Sequence, residues 1–149
     1  MKQIKIGIVG SRRRNSNEDH NKLIYAFDRI VGEFFRTYFG QLEVTIVTGD
    51  CNEGGDKFAR ELANEYKCVL DEKKIKDPET GEEMDFKNHR WFDIFTMRDI
   101  FYSRNEEIAE EPLDYLIAIV APDRKGGTEN TIRHFRRLHK DWKEKLIIL

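Results

Sequence analysis

The chain reads as an α/β protein built on a parallel sheet. Short β-branched runs alternate with helical apolar periodicities along all 149 residues. One run, Tyr115–Val120, is apolar without alternation, which suits a strand covered on both faces. Glycine-rich loops follow three of the strands, as strand-to-helix turns require. Together these predict one domain over residues 1–149, a three-layer sandwich with helices on both faces of five parallel strands. The expected strand order is third, second, first, fourth, fifth, with Tyr115–Val120 internal.

The first strand is read from Ile4, Ile6, Ile8 and Val9, and Gly10-Ser11 ends it. Ser16-x-x-Asp19 predicts a helix cap. Ile24, Phe27, Ile30, Val31, Phe34, Phe35 and Tyr38 follow at steps of three and four, placing them on one helical face, and Gly40 stops the helix. Val44, Ile46 and Val47 form the second strand. After GDCNEGGD, the stripe Phe58, Ala59, Leu62, Ala63 and Tyr66 marks the second helix, and Cys68-Val69-Leu70 a short third strand. Residues 71–95 are less regular. DPETGEE reads as a turn through Pro78 and Gly81, and its flanks are expected either to pair as a hairpin or to form an irregular excursion. His89, Trp91, Phe92 and Phe95 suggest that it packs back on the body. A third helix is expected from about Arg98 to Glu110, ended by Pro112. Thr128 opens the last helix, with Ile132, Phe135 and Leu138 on one side, and Leu146–Leu149 forms the fifth strand.

Composition excludes several classes. The 26 basic and 28 acidic residues leave a formal charge of −2, which argues against a nucleic-acid coat despite a basic final helix carrying Arg133, Arg136, Arg137, His139 and Lys140. No run of about 18 apolar residues is present, so no membrane span is expected. The N-terminal apolar run is too short for a signal peptide. Two cysteines, Cys51 and Cys68, fit a reducing cytoplasm rather than a disulfide framework. His20, His89, His134 and His139 lack metal-ligand spacing. No metal and no resident cofactor are expected.

In an open parallel sheet a ligand binds beyond the carboxyl ends of the strands. Three glycine-rich loops reach that edge: Gly10-Ser11-Arg12, Gly49-Asp50 running on to Gly54-Gly55-Asp56, and Gly126-Gly127-Thr128. Each leads toward a helix, whose N-terminal amides suit an anion. No GK[ST] and no G-x-G-x-x-G occurs, which disfavours P-loop hydrolysis and ordinary dinucleotide binding.

The set GIVGSR after the first strand, VTGDCNEGGDKFARELA after the second, SRN on the third helix and GGTENTIR after the fourth strand resembles the SLOG superfamily. The resemblance runs from about Ile4 to His139, outside the 71–95 excursion. That group has a Rossmann-like fold and includes the lonely-guy phosphoribohydrolases, DNA-processing protein A and small stand-alone proteins, which this chain resembles most. The resemblance implies that Gly126, Gly127 and Thr128 hold a phosphate, that Arg104 reaches the same crevice, and that Ser11 and Arg12 line its other side. The enzymes of the group cleave a nucleotide's N-glycosidic bond with an arginine and a glutamate three residues after the threonine of PGGxGTxxE. Here that place is Thr131, while Glu129 lies about 200° around the helix from it.

Each candidate has a plainer reading. Arg12, Arg13 and Arg14 are an anion clamp or a solvated charge run, with Arg12 nearest the strand end. Asp56 binds a ribose hydroxyl or caps a helix start. Arg104-Asn105 serves the site or an ordinary salt bridge. Glu129 is a weak catalytic candidate or a first-turn acid. Cys51 at a helix start lacks a base partner nearby in sequence. Trp91, Phe92 and Phe95 stack on a base or form a core or subunit interface. The expected function is binding of a nucleotide or nucleotide-derived phosphate ligand by a cytoplasmic homodimer. A phosphoribohydrolase-like glycosidase or transferase using Glu129 or Asp50 is the alternative, and an interaction module with a decayed pocket is another.

Overall fold

The computed structural model describes residues 1–85 and 91–149. Alternation along the strands sorts apolar side chains onto two faces, and each face recruits its own pair of helices. Five strands, β1 (Lys2–Gly10), β2 (Leu42–Gly49), β3 (Val69–Lys73), β6 (Tyr115–Ile119) and β7 (Leu146–Ile148), form a parallel sheet in the order β3-β2-β1-β6-β7. This is the predicted order, with Tyr115–Ile119 internal. Ile4, Ile6, Ile8, Ile46, Ile117 and Ile119 pack against α1 (Asn17–Thr37) and α2 (Gly55–Tyr66). On the other face, Val9, Val47, Leu116 and Ala118 meet α3 (Ile94–Glu110) and α4 (Gly127–Leu138) through Ile108, Ala109, Ile132 and Phe135. The result is a Rossmann-like three-layer sandwich.

Local chemistry explains the element ends. Ser16 Oγ accepts from the Asp19 amide at 3.1 Å, and the Asp19 carboxylate accepts from the Ser16 amide, the predicted capping box. The buried stripe of α1 is Leu23, Ala26, Phe27 and Ile30. Phe35 and Tyr38 depart from expectation and are exposed. Phe35 follows Phe34 by one residue, about 100° round the helix, so its ring covers Gly40 instead of the core.

The excursion after β3 is a hairpin. β4 (Ile75–Lys76) pairs antiparallel with β5 (Glu83–Met84). Asp77 Oδ1 accepts from the Glu79 and Thr80 amides at 2.8 and 3.3 Å, which closes the turn at Pro78. Ile75 then packs on Met97 and Ile100 of α3, with Met84, Phe92 and Phe101 around them. α3 starts four residues earlier than the predicted Arg98. Asp93 Oδ1 accepts from the Phe95 and Thr96 amides at 3.0 Å, a cap hidden inside an aromatic stretch. Phe92 packs back as expected, but Trp91 is 77% exposed and Phe95 67% exposed, its ring lying 5.6 Å under the Arg98 guanidinium instead of in the core. The expectation for His89 lies outside the described residues. A short helix, α5 (Trp142–Lys145), precedes β7, and Arg136 lies 4.1 Å over the Trp142 ring. No described helix is long and apolar enough to cross a membrane.

Two substitutions gauge these contributions by urea unfolding. Ser16→Ala should cost about 1 kcal/mol through the lost cap. Phe135→Ala, at the centre of the α4 face, should cost about 4 kcal/mol. Equal costs would contradict the packing described.

Candidate functional site

The carboxyl ends of β1, β2 and β6 bring three loops together around a cavity of about 500 Å³. Gly10, Ser11, Arg12 and Arg13 line it from the β1 loop, and Lys125, Gly126, Gly127 and Thr128 from the β6 loop. Cys51 and Asp56 come from the β2 side, and α3 contributes Arg98, Phe101, Tyr102, Arg104, Asn105 and Ile108.

Close backbone approach builds the β1-loop side. A Cβ on Gly10 would stand 2.9 Å from Gly55 Cα, so the start of α2 rests on the end of β1 only because both residues are glycine. Asn15 Oδ1 accepts from the Gly54 amide at 2.9 Å and holds the two loops together. Ser11 donates its amide to Ile119 O at 2.9 Å, and its Oγ accepts from the Arg13 amide at 3.2 Å. These bonds separate the three loop arginines. Arg13 makes a two-pronged pair with Asp123 at 2.9 and 2.6 Å, tying the first loop to the β6 loop. Arg14 binds Asp19 and the carbonyls of Val120 and Leu149, a structural tie at the strand ends. Arg12 lines the cavity.

Arg104 is held beneath this surface. Its Nη1 pairs with Asp50 Oδ1 at 3.0 Å, with side-chain exposures of 9% and 6%. Its Nε donates to Asn105 Oδ1 at 3.2 Å. Asn105 Nδ2 donates in turn to Gly127 O at 3.2 Å and to Asn130 Oδ1 at 3.3 Å. Thr131 Oγ1 donates to the same Gly127 carbonyl at 3.3 Å. The chain of contacts therefore runs from Asp50 through Arg104 and Asn105 to the first turn of α4. That first turn has no side-chain cap. Gly126 precedes it with φ 118°, a conformation natural to glycine, and nothing lies within 4 Å of the place a Cβ would take. The uncapped first turn of α4 therefore borders the cavity, with Gly126, Gly127 and Thr128 lining it beside Lys125.

Glu129, Gly49 and Gly54 do not line the cavity, whereas Asp56 and Cys51 line it but are engaged with each other. Glu129 is paired with Arg124, Nη2 to Oε2 at 3.2 Å, and is not among the residues lining the cavity. Gly49 lies under the Asp56 and Arg104 side chains, and Gly54 under the Ser11 carbonyl. Asp56 is buried, accepting from the Cys51 amide at 3.1 Å rather than capping α2. Burial pushes the Cys51 thiol up, which opposes thiolate chemistry. No group of three or more His, Cys, Asp or Glu able to hold a metal occurs among the described residues.

The sequence does not single out Arg98, Phe101, Tyr102 or Lys125, all of which line the cavity. A signal was present. Arg98, Phe101, Asn105 and Ile108 recur at steps of three and four along α3, and this stripe faces the cavity. Arg98 lies 6.0 Å over the Tyr102 ring, and Arg104 lies 5.7 Å over Phe101.

Arg104→Ala should destabilise the fold by about 4 kcal/mol, because it removes the cation that neutralises the buried Asp50 carboxylate. Arg104→Met combined with Asp50→Leu should recover most of that loss in chemical denaturation. A double variant as unstable as the single one would refute the pairing as the cause. The comparisons with known proteins return no match: no family model, no curated protein and no solved structure resembles the chain closely enough to identify it.

Proposed function

We propose that the chain binds a nucleotide or nucleotide-derived phosphate ligand in the cavity at the carboxyl edge of its sheet, as a SLOG-type binding or sensor domain. The observation that carries this reading is the open first turn of α4. Gly126, Gly127, Thr128 and Lys125 line the cavity together at this uncapped turn, and the helix dipole favours an anion there. The cavity has space for more than a phosphate, and Phe101 and Tyr102 offer it aromatic surface. Glu129, committed to Arg124, gives no support to glycosidase chemistry through that residue. The two free thiols accord with a cytoplasmic setting.

A homodimer belongs to the same proposal. Trp91, Ile94 and Phe95 stand exposed together at the start of α3, close along the helix to the Arg98 and Tyr102 that line the cavity. Phe95→Asp should leave a monomer by light scattering. A parent chain that is already monomeric at high micromolar concentration would remove the dimer from the proposal.

Calorimetric titration with adenosine monophosphate and ADP-ribose tests the binding site. Lys125→Ala and Thr128→Val should each weaken binding about tenfold. A ligand at about 100 times its Kd should add about 2.7 kcal/mol to stability. Unchanged affinity in both variants would place the ligand elsewhere.

A further inference from the structure

Thr48 lies on β2 against Asp56, which lines the cavity, and its hydroxyl has a single proton to give. Thr48 Oγ1 stands 2.6 Å from the carbonyl oxygen of Ile8. A carbonyl can only accept, and two buried oxygens at that distance repel unless a proton lies between them. The Thr48 proton is therefore spent on Ile8. Thr48 Oγ1 is also 3.1 Å from Asp56 Oδ1, inside the interior, where two facing acceptors would be costly. The proton in that second contact has to come from Asp56. The other carboxyl oxygen, Oδ2, accepts from the Cys51 amide at 3.1 Å, as the carbonyl-like oxygen of a carboxylic acid does.

We propose that Asp56 is protonated on Oδ1 at neutral pH, and that the cavity floor therefore presents a neutral carboxylic acid to the ligand rather than a carboxylate. The second clause rests on the reading of the cavity as an anion site; the first does not. A neutral Asp56 leaves the Asp50–Arg104 pair electrically balanced and adds no negative charge below Arg12, Arg98 and Lys125. Selection of an anion over a cation then follows from the floor as well as from the rim.

The surroundings favour this state. Burial acts first and pushes the Asp56 carboxyl up; Arg104 from α3, the Cys51 amide and Arg60 on α2 pull the other way, and Thr48 would join them only if its proton turned from Ile8 to Asp56. Arg104 is already engaged by Asp50, and Arg60 by Glu72 at 3.4 Å and by the Cys51 carbonyl at 2.7 Å. The Cys51 thiol also faces the carboxyl from the β2 loop, and burial keeps it protonated in the same range.

Carbon-13 NMR of the aspartate side-chain carboxyls of the whole protein tests the assignment. The Asp56 signal, identified through its own β-carbon and missing in Asp56→Asn, should hold the chemical shift of a protonated acid at pH 7. A signal that titrates in the usual aspartate range near pH 4 overturns the proposal. Stability supplies a second readout. The unfolded chain releases the Asp56 proton near pH 4, whereas the folded chain keeps it. The wild-type folding constant should therefore fall, relative to that of Asp56→Asn, by up to about tenfold per pH unit as pH rises from the unfolded value toward the folded one. A difference that grows in the opposite direction also overturns it. If Asp56→Asn does not fold, the wild-type signal alone decides. Sulfate, whose charge is constant over this range, separates the two readings. Failure of sulfate to bind counts against the anion site and leaves the Asp56 proton standing.

Discussion

Arg104 carries a full charge into the interior at the end of β2, and the layout of the site follows from how that charge is met. Asp50 neutralises it at 3.0 Å, and Asn105 Oδ1 accepts from its Nε. A charge left unpaired there would cost several kcal/mol, so α3 has little freedom to slide along the sheet. Because Asn105 also grips Gly127, the position of the α4 first turn is inherited from the same pair. One electrostatic requirement thereby links a helix, a strand end and the uncapped start of a second helix.

Steric fit completes what charge begins. The Gly10–Gly55 approach brings two loops into backbone contact, and Gly49 leaves a gap that the Asp56 and Arg104 side chains occupy. Side chains at these positions would push the loops apart and open the floor. The glycines of the first two loops serve packing, whereas Gly126 faces open space. The three loops look alike as sequence, yet in two of them the glycines admit a close neighbour, while in the third Gly126 precedes an uncapped helix start.

Much of the fold was legible because period and burial agree. The uninterrupted run Tyr115–Val120 could satisfy its neighbours only from inside a sheet, and Ser16 with Asp19 carries both halves of a cap in four residues. The start of α3 was harder to see because Asp93 caps a helix whose first turn holds Ile94 and Phe95, side chains that point to solvent against their usual preference. The site was legible as a set of loops but not as a set of contacts. Nothing in local sequence tells that Glu129 turns to Arg124, or that Asp56 turns away from its own helix cap toward Thr48. Those choices depend on residues brought near by the tertiary fold, as Arg104 and Asp50 are.

The sheet order also governs how the chain must fold. β1 is the central strand, yet its partner on one side is β6, where Ile6 meets Tyr115 roughly a hundred residues on. Closing so long a loop costs entropy before any ladder bond repays it. The first half, with β1, β2 and the helices on their shared face, can collapse early, but it leaves one edge of β1 unpaired. A chain synthesised from its N-terminus therefore presents an open, β-branched edge until β6 arrives to cover it, and is at its most association-prone during that interval.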